Sequence, residues 1–267
     1  MSAPTFVYVD YGASPDIGLE LRYSLATLLA EYASPQVVVY TDKPHAYAAL
    51  HESVTVRVLG DDLARWTRAG RYNHRIKPCV LSDALAAYGG LCVLLDTDSY
   101  INPGFAAALG AATANGPAMD HFESVDPYPD LVGWAADLPG GRYLYDPRAA
   151  SMFNSGLVAA QAGRDEAALI DAVALIDALW DDRRRLFKIE QIAISEAFRL
   201  HGRPIGETRP AFFHYYRRSL KRYLHWRLRA RERRAQAFAP TRPCLAHPRN
   251  AVRVFNLVDR LLNGARA

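Results

Sequence analysis

Cysteine is scarce in this sequence: Cys79, Cys92 and Cys244 are an odd number, widely spaced, with no C-x-x-C pair and no histidine at zinc-finger spacing. That excludes a disulfide framework and a structural zinc site, and leaves three reduced thiols. Cys92 sits inside an apolar run, where a small buried side chain suits the pattern and a reactive thiolate does not. Long apolar runs are missing as well. None approaches the roughly 20 residues of a spanning helix, and residues 1–10 lack the basic start and apolar stretch of a signal peptide. A cytoplasmic protein is the expectation. There is no internal repeat, no low-complexity linker and no disordered, collagenous or coiled-coil composition. Acids are nearly absent from one stretch. Between Arg217 and Arg234 only Glu232 is acidic, against Arg217, Arg218, Lys221, Arg222, Arg227, Arg229, Arg231, Arg233 and Arg234. The net charge of +4 and pI near 9.0 are concentrated there, which points to an anionic partner for that segment.

What is present is a chain of 267 residues, half of them apolar, enough for one large core. Strands and helices alternate along it. Phe6–Val9 reads as a strand closing on Asp10, Tyr11 and Gly12, and a helix from Leu19 to Tyr32 carries Leu21, Leu25, Leu28 and Leu29 on one face. Val37–Tyr40 is a second strand, and Val54, Val56 and Val58 alternate like a third. Pro78 stands as a first-turn proline for a helix to Tyr88, which Gly89 and Gly90 end before the run Leu91–Leu95. That run has no polar face, so a central parallel strand covered on both sides is expected. Residues 115–149 read as long loops with one short strand at Ala118–Met119, and helices return near Glu166–Trp180 and Ile189–Leu200. The class is α/β, a mainly parallel sheet with helices on both faces, over residues 1–212, followed by a basic helical extension, 213–267.

Ligands of open α/β sheets bind beyond the carboxyl ends of the strands, which is where Asp96 and Asp98 follow Leu91–Leu95. Two carboxylates two residues apart on an extended segment point the same way and can share one hard cation, which can clamp a diphosphate. A D-x-D triplet alone arises about once by chance in such a chain; its position after a buried strand is what gives it meaning. Two other readings stand beside this one. The aspartates could cap the turn or a following helix. A haloacid-dehalogenase-like phosphatase also has an apolar strand followed by D-x-D, but near the start of its domain and with different residues after the second Asp.

Taken with Arg75 to Pro78 upstream, Phe153 to Gly156, and Glu190 with Gln191, the segment Leu94 to Asp98 resembles GT-A glycosyltransferases of the glycogenin and galactosyltransferase-like kind. The similarity covers roughly residues 5–215. The resemblance implies a GT-A (Rossmann-like) fold, a UDP- or GDP-sugar donor, and Mn²⁺ or Mg²⁺ held by Asp96 and Asp98 on the diphosphate. It further implies that Asn154, Ser155 and Gly156 lie beside the sugar and that Glu190 and Gln191 face the anomeric carbon, Glu190 as the base of an inverting enzyme or either residue as the support of an ion-pair-like intermediate in a retaining one, the outcome the resemblance favours. His214 would complete the metal shell, or else pack among aromatics; the Gly and Lys-Pro-Trp that follow this histidine in the family are replaced here by Arg217, Arg218 and Lys221. By position Tyr11 could stack on the base, Thr97 sits within the donor-binding triplet, Lys77 could approach a phosphate and Asp83 a sugar hydroxyl. Tyr11 could equally be an ordinary tyrosine, and Lys77 and Asp83 solvated helix charges.

Tyr216, Leu220, Tyr223, Leu224 and Trp226 recur at near-helical spacing within the basic segment 214–234, as on a helix lying on an anionic membrane surface, at the inner face of the membrane. A glycan or lipid-linked acceptor would suit it. Packing of those aromatics on the domain is the other reading. Nucleic acid is disfavoured for want of a recognisable module. Two functions of different class remain open: an active glycosyltransferase, and a catalytically silent GT-A-like domain that binds nucleotide, glycan or membrane.

Overall fold

The computed structural model describes residues 3–47, 50–182, 186, 188–216 and 218–233. Arg217 and residues 234–267, Cys244 among them, lie outside the described residues, and with them most of the predicted extension. The chain opens with β1 (Thr5–Asp10), α1 (Pro15–Glu31), β2 (Gln36–Thr41) and β3 (Val54–Val58). Next come α2 (Asp61–Trp66), α3 (Ile76–Tyr88), β4 (Leu91–Leu95), β5 (Ser99–Ile101) and α4 (Phe105–Thr113). A strand-rich stretch holds β6 (Ala118–Met119), β7 (Phe122–Val125), β8 (Ala135–Leu138), β9 (Gly141–Leu144), β10 (Ser151–Phe153) and β11 (Leu157–Gln161). Last are α5 (Glu166–Asp181), α6 (Ile189–Leu200), β12 (Gly206–Glu207), β13 (Phe212–His214) and α7 (Arg218–Arg233).

Seven strands form the main sheet, in the order β12-β6-β11-β4-β1-β2-β3. All run parallel except β11, which is antiparallel to both β4 and β6. The expectation that β4 is a parallel strand is therefore met on its β1 side and corrected on its β11 side. The excursion from β6 to β11 contains short strands and turns but no crossover helix, so the chain re-enters the sheet in the opposite direction. The apolar run of β4 reflects coverage of both faces, whatever the direction of its neighbour. Cys92 and Leu94 point into one core with Val80, Leu81 and Leu85 of α3 and Leu169 of α5. Val93 and Leu95 point into the other with Leu21, Leu25 and Leu28 of α1 and Phe105 of α4. Helices thus cover both faces. Gly89 (φ 65°) terminates α3, in a left-handed geometry that other residues resist.

Residues 115–149 hold more structure than their composition suggests. Besides β6 they contain β7, which pairs with β10, and the β8–β9 hairpin. These ribbons are too short to show a period. Tyr143 and Tyr145 anchor them over Leu175, Ile176 and Leu179 of α5 and Ile192 of α6.

Among the described residues no helix is long and apolar enough to cross a membrane. α7 does not stand apart: Leu224 and Leu228 are buried against Leu19 and Tyr23 of α1 and Tyr215.

Burial raises the Cys79 thiol to about 11, with Arg75 pulling it back and Asp177 pushing it further, and raises Cys92 to about 12. Fewer than about one in a thousand would be thiolate at pH 8. In a Cys244→Ser protein, a thiol reagent should leave both cysteines unmodified in the native state and modify both after denaturation; rapid native labelling would contradict the packing.

Candidate functional site: a carboxylate–imidazole cluster on a buried ammonium

The site forms where β4 stops. The Asp96 amide still donates to Gly156 O at 2.8 Å, extending the β4–β11 ladder by one residue, and Thr97 and Asp98 then bend away. Ser99 Oγ donates to Asp96 O at 2.6 Å and closes the bend. Behind it runs a buried hydroxyl chain: Ser99 Oγ and Ser24 Oγ are 3.0 Å apart, and Ser24 Oγ and Tyr8 Oη 3.0 Å apart. The strand that follows is β5, so the aspartates do not cap a helix. β13 pairs with β5 in the register His214↔Ser99, and Tyr215 N donates to Asp98 O at 2.9 Å. This pairing delivers an imidazole from far along the chain. His214 Nε2 lies 3.2 Å from Asp98 Oδ1 and 3.6 Å from Asp96 Oδ2, and one ligand atom from each of the three residues falls within 4.8 Å of the others.

The orientation of His214 is held from behind. Asn154 Nδ2 donates to Glu123 Oε1 at 2.7 Å, which turns Asn154 Oδ1 toward His214 Nδ1, 3.0 Å away. Nδ1 must therefore carry a proton, and Nε2 faces the carboxylates, as for a metal-ligating histidine fixed through its other nitrogen. Glu123 is held in turn by Lys188 at 2.5 Å. Gly156 supplies the room: a Cβ there would lie 2.3 Å from His214 Nδ1.

Two ammonium groups flank the carboxylates. Lys77, buried on the first turn of α3, donates to Asp96 Oδ2 at 2.8 Å, to Ser155 Oγ at 3.1 Å and to Ser155 O at 3.2 Å. Ser155 Oγ passes the connection to Glu190 Oε1 at 3.3 Å, and Tyr72 Oη donates to Glu190 Oε2 at 2.6 Å. Burial disfavours the Lys77 charge, but the charges of Asp96 and Glu190 outweigh it and hold the ammonium above its ordinary value. Burial likewise opposes ionisation of Glu190, while Lys77, His74 and the Tyr72 hydroxyl bring its carboxyl below the usual range. From α7, Lys221 Nζ reaches Asp98 Oδ2 at 2.7 Å and Glu20 Oε1 at 3.7 Å. Against the cost of burial, His214 and Lys221 keep the Asp98 carboxyl well below its ordinary value. Against the same cost, Asp98 and Asp96 raise His214.

A cavity of about 790 Å³ runs across this cluster. Tyr11, Lys77, Asp96, Thr97, Asp98, Asn154, Glu190, Gln191 and His214 line it, so most of the residues singled out from sequence meet in one space. Three stand elsewhere. Asp83 is not a lining residue; it is engaged by Arg57 at 2.9 Å and by the Tyr40 hydroxyl at 2.6 Å, so it is neither at the cavity nor a free helix charge. Ser155 lies behind Lys77, and Gly156 behind His214. Lys77 is not a solvated charge either. Gln191 lines the cavity, but its Oε1 is turned away from solvent and lacks a hydrogen-bond partner.

Sequence reading passed over Glu20, Tyr72, His74, Glu123 and Lys188, and Asp120 behind His214. Asp120 is fully buried, with Oδ2 4.0 Å from His214 Nδ1, and Arg209 Nε donates to its Oδ1 at 3.2 Å. It closes the short apolar strand β6, the same signature that drew attention to Asp96. The others carry no local signal. No family model and no curated protein matches this chain.

Lys77→Met should destabilise the fold by about 3 kcal/mol or more in urea unfolding, because Asp96 and Glu190 lose their buried counter-charge. Gly156→Ala should leave the fold intact yet weaken Mn²⁺ binding at least about tenfold by calorimetry, since the imidazole must move. Unchanged affinity would remove His214 from the ligand set.

Proposed function

We propose that this chain is a metal-dependent glycosyltransferase of the GT-A type, moving a sugar from a nucleoside-diphosphate donor to a glycan or lipid-linked acceptor. The observation that carries this reading is the convergence of Asp96, Asp98 and His214 at the end of a buried strand, beside a cavity also lined by Glu190 and Gln191. The mainly parallel sheet with one reversed strand is compatible with the fold that the motifs resemble.

Two carboxylates and an imidazole presented by a narrow bend suit a divalent cation of the Mn²⁺ type; Mg²⁺ more often keeps water and carboxylate oxygens alone. Bound there, the cation would neutralise charge developing on the departing diphosphate. The chain's own residues do the rest. Tyr11 and Gly12 offer a wall for the base at the end of β1. Lys221, already beside Asp98, is positioned to approach a diphosphate oxygen from the α7 side. Lys77, His74 and Tyr72 hold the Glu190 carboxyl below the usual range and hydroxyls engage both of its oxygens, which weakens it as a base and suits it to support positive charge at an anomeric carbon. That favours retention. Gln191 Oε1 has no protein partner to hold it, so the side chain can turn its amide into the cavity and accept a hydrogen bond from a sugar hydroxyl.

Incubation with a panel of UDP- and GDP-sugars and Mn²⁺ should release nucleoside diphosphate. Asp98→Asn should cut that release at least about a hundredfold and abolish metal-dependent nucleotide binding. Gln191→Ala should bind nucleotide normally while turnover falls about tenfold or more. If the wild-type protein binds nucleotide with metal but neither hydrolyses nor transfers, the domain is a binding module; if no nucleotide binds with metal, the reading fails.

A further inference from the structure

The basic segment carries two helix faces, and their roles are the reverse of the simple amphipathic pattern. The apolar face of α7, with Leu224 and Leu228, is spent on α1 and Tyr215, and Leu220 and Tyr223 pack at its margin. Leu224 and Leu228 are thereby closed to a bilayer, and Leu220 and Tyr223 are partly covered. Lys221 and His225 occupy the edge over α1, where His225 Nε2 lies 2.7 Å from Glu20 and Arg229 pairs with Asp16. What faces outward is different. Arg222 and Trp226 lie at i and i+4 on one exposed stripe with Arg227 beside it, and Trp226 is 55% exposed. Trp226 lies against the Tyr223 ring, centroids 6.3 Å apart, and still leaves more than half of its surface exposed, while the leucines before and after it are buried. Tyr216, 46% exposed, stands at the start of the same helix and lines the cavity, as does Lys221.

We infer that the outward stripe of α7, Trp226 with Arg222 and Arg227, docks the protein on an anionic lipid bilayer. The indole matches the interfacial depth at which one side of a ring is apolar and the other wet, and the arginines meet lipid phosphates and carboxylates. Because the apolar face is turned inward, the attachment is electrostatic with one aromatic anchor: reversible and sensitive to salt. Since α7 borders the cavity, docking brings the cavity mouth to the bilayer, where an acceptor carried in the membrane would meet it. Only this last step rests on the glycosyltransferase reading; the surface stands without it.

The test uses the full chain and sedimentation with phosphatidylcholine vesicles, with and without about one-third phosphatidylglycerol, at low and high salt. Binding should require the anionic lipid and weaken with salt. A Trp226→Ala, Arg222→Glu, Arg227→Glu protein, checked for an unchanged circular dichroism spectrum, should bind at least fivefold more weakly while its metal-dependent nucleotide binding stays as in the wild type. A wild-type protein that ignores anionic vesicles, binds neutral ones equally, or is stripped from vesicles by a stoichiometric amount of RNA overturns the inference. So does a triple variant that binds as the parent does. Loss of nucleotide binding in the wild type itself would instead count against the donor site and leave this surface standing.

Discussion

The ammonium of Lys77 is the interaction on which the rest of the site depends. It is buried, and it bridges a carboxylate at the end of β4 to a carboxylate on α6 through the Ser155 hydroxyl. Without it the two acids would share that wall of the cavity with no buried counter-charge between them. With it, Glu190 is held below the usual carboxylate range and Asp96 is fixed in place. α3, β4, the turn before β11 and α6 are thereby tied together by one positive charge, at the point where the two cores and the ribbon region meet.

Around that charge the protein alternates signs instead of pooling them. Asp98 is balanced by Lys221 and His214, Glu190 by Lys77, Glu123 by Lys188, and Glu20 by His225 and Lys221. Paired charges cost little to keep in place and are already oriented, so a charged ligand meets an arrangement that needs little reorganisation. The hydroxyl chain of Tyr8, Ser24 and Ser99 does the same for the backbone, fixing the Asp96 carbonyl and with it the bend that presents both aspartates.

Much of this was legible in advance where the signal is local. The apolar run Leu91–Leu95 announced a strand covered on both faces, and the leucine spacing of α1 and the bounds of α6 were equally readable, because side-chain period follows backbone geometry. The strands between β6 and β11 were not legible. They are two to four residues long, and their pairing is stabilised by Tyr143 and Tyr145 resting on helices that come later in the chain. Asp83 looked like a site residue because it shares a helix with Lys77; Arg57 and Tyr40, brought in by β3 and β2, engage it away from the cavity.

The sequence by itself determined that two carboxylates close a buried strand, since burial and periodicity are written in neighbouring residues. It also determined that the segment after His214 is strongly basic. Only the tertiary structure decided that His214 stands beside Asp98, which follows from the β5–β13 register, and that Lys221 reaches into the site while Trp226 faces out. Those outcomes depend on pairing and packing between segments a hundred residues apart or more, and no local pattern encodes which distant side chain will be the neighbour.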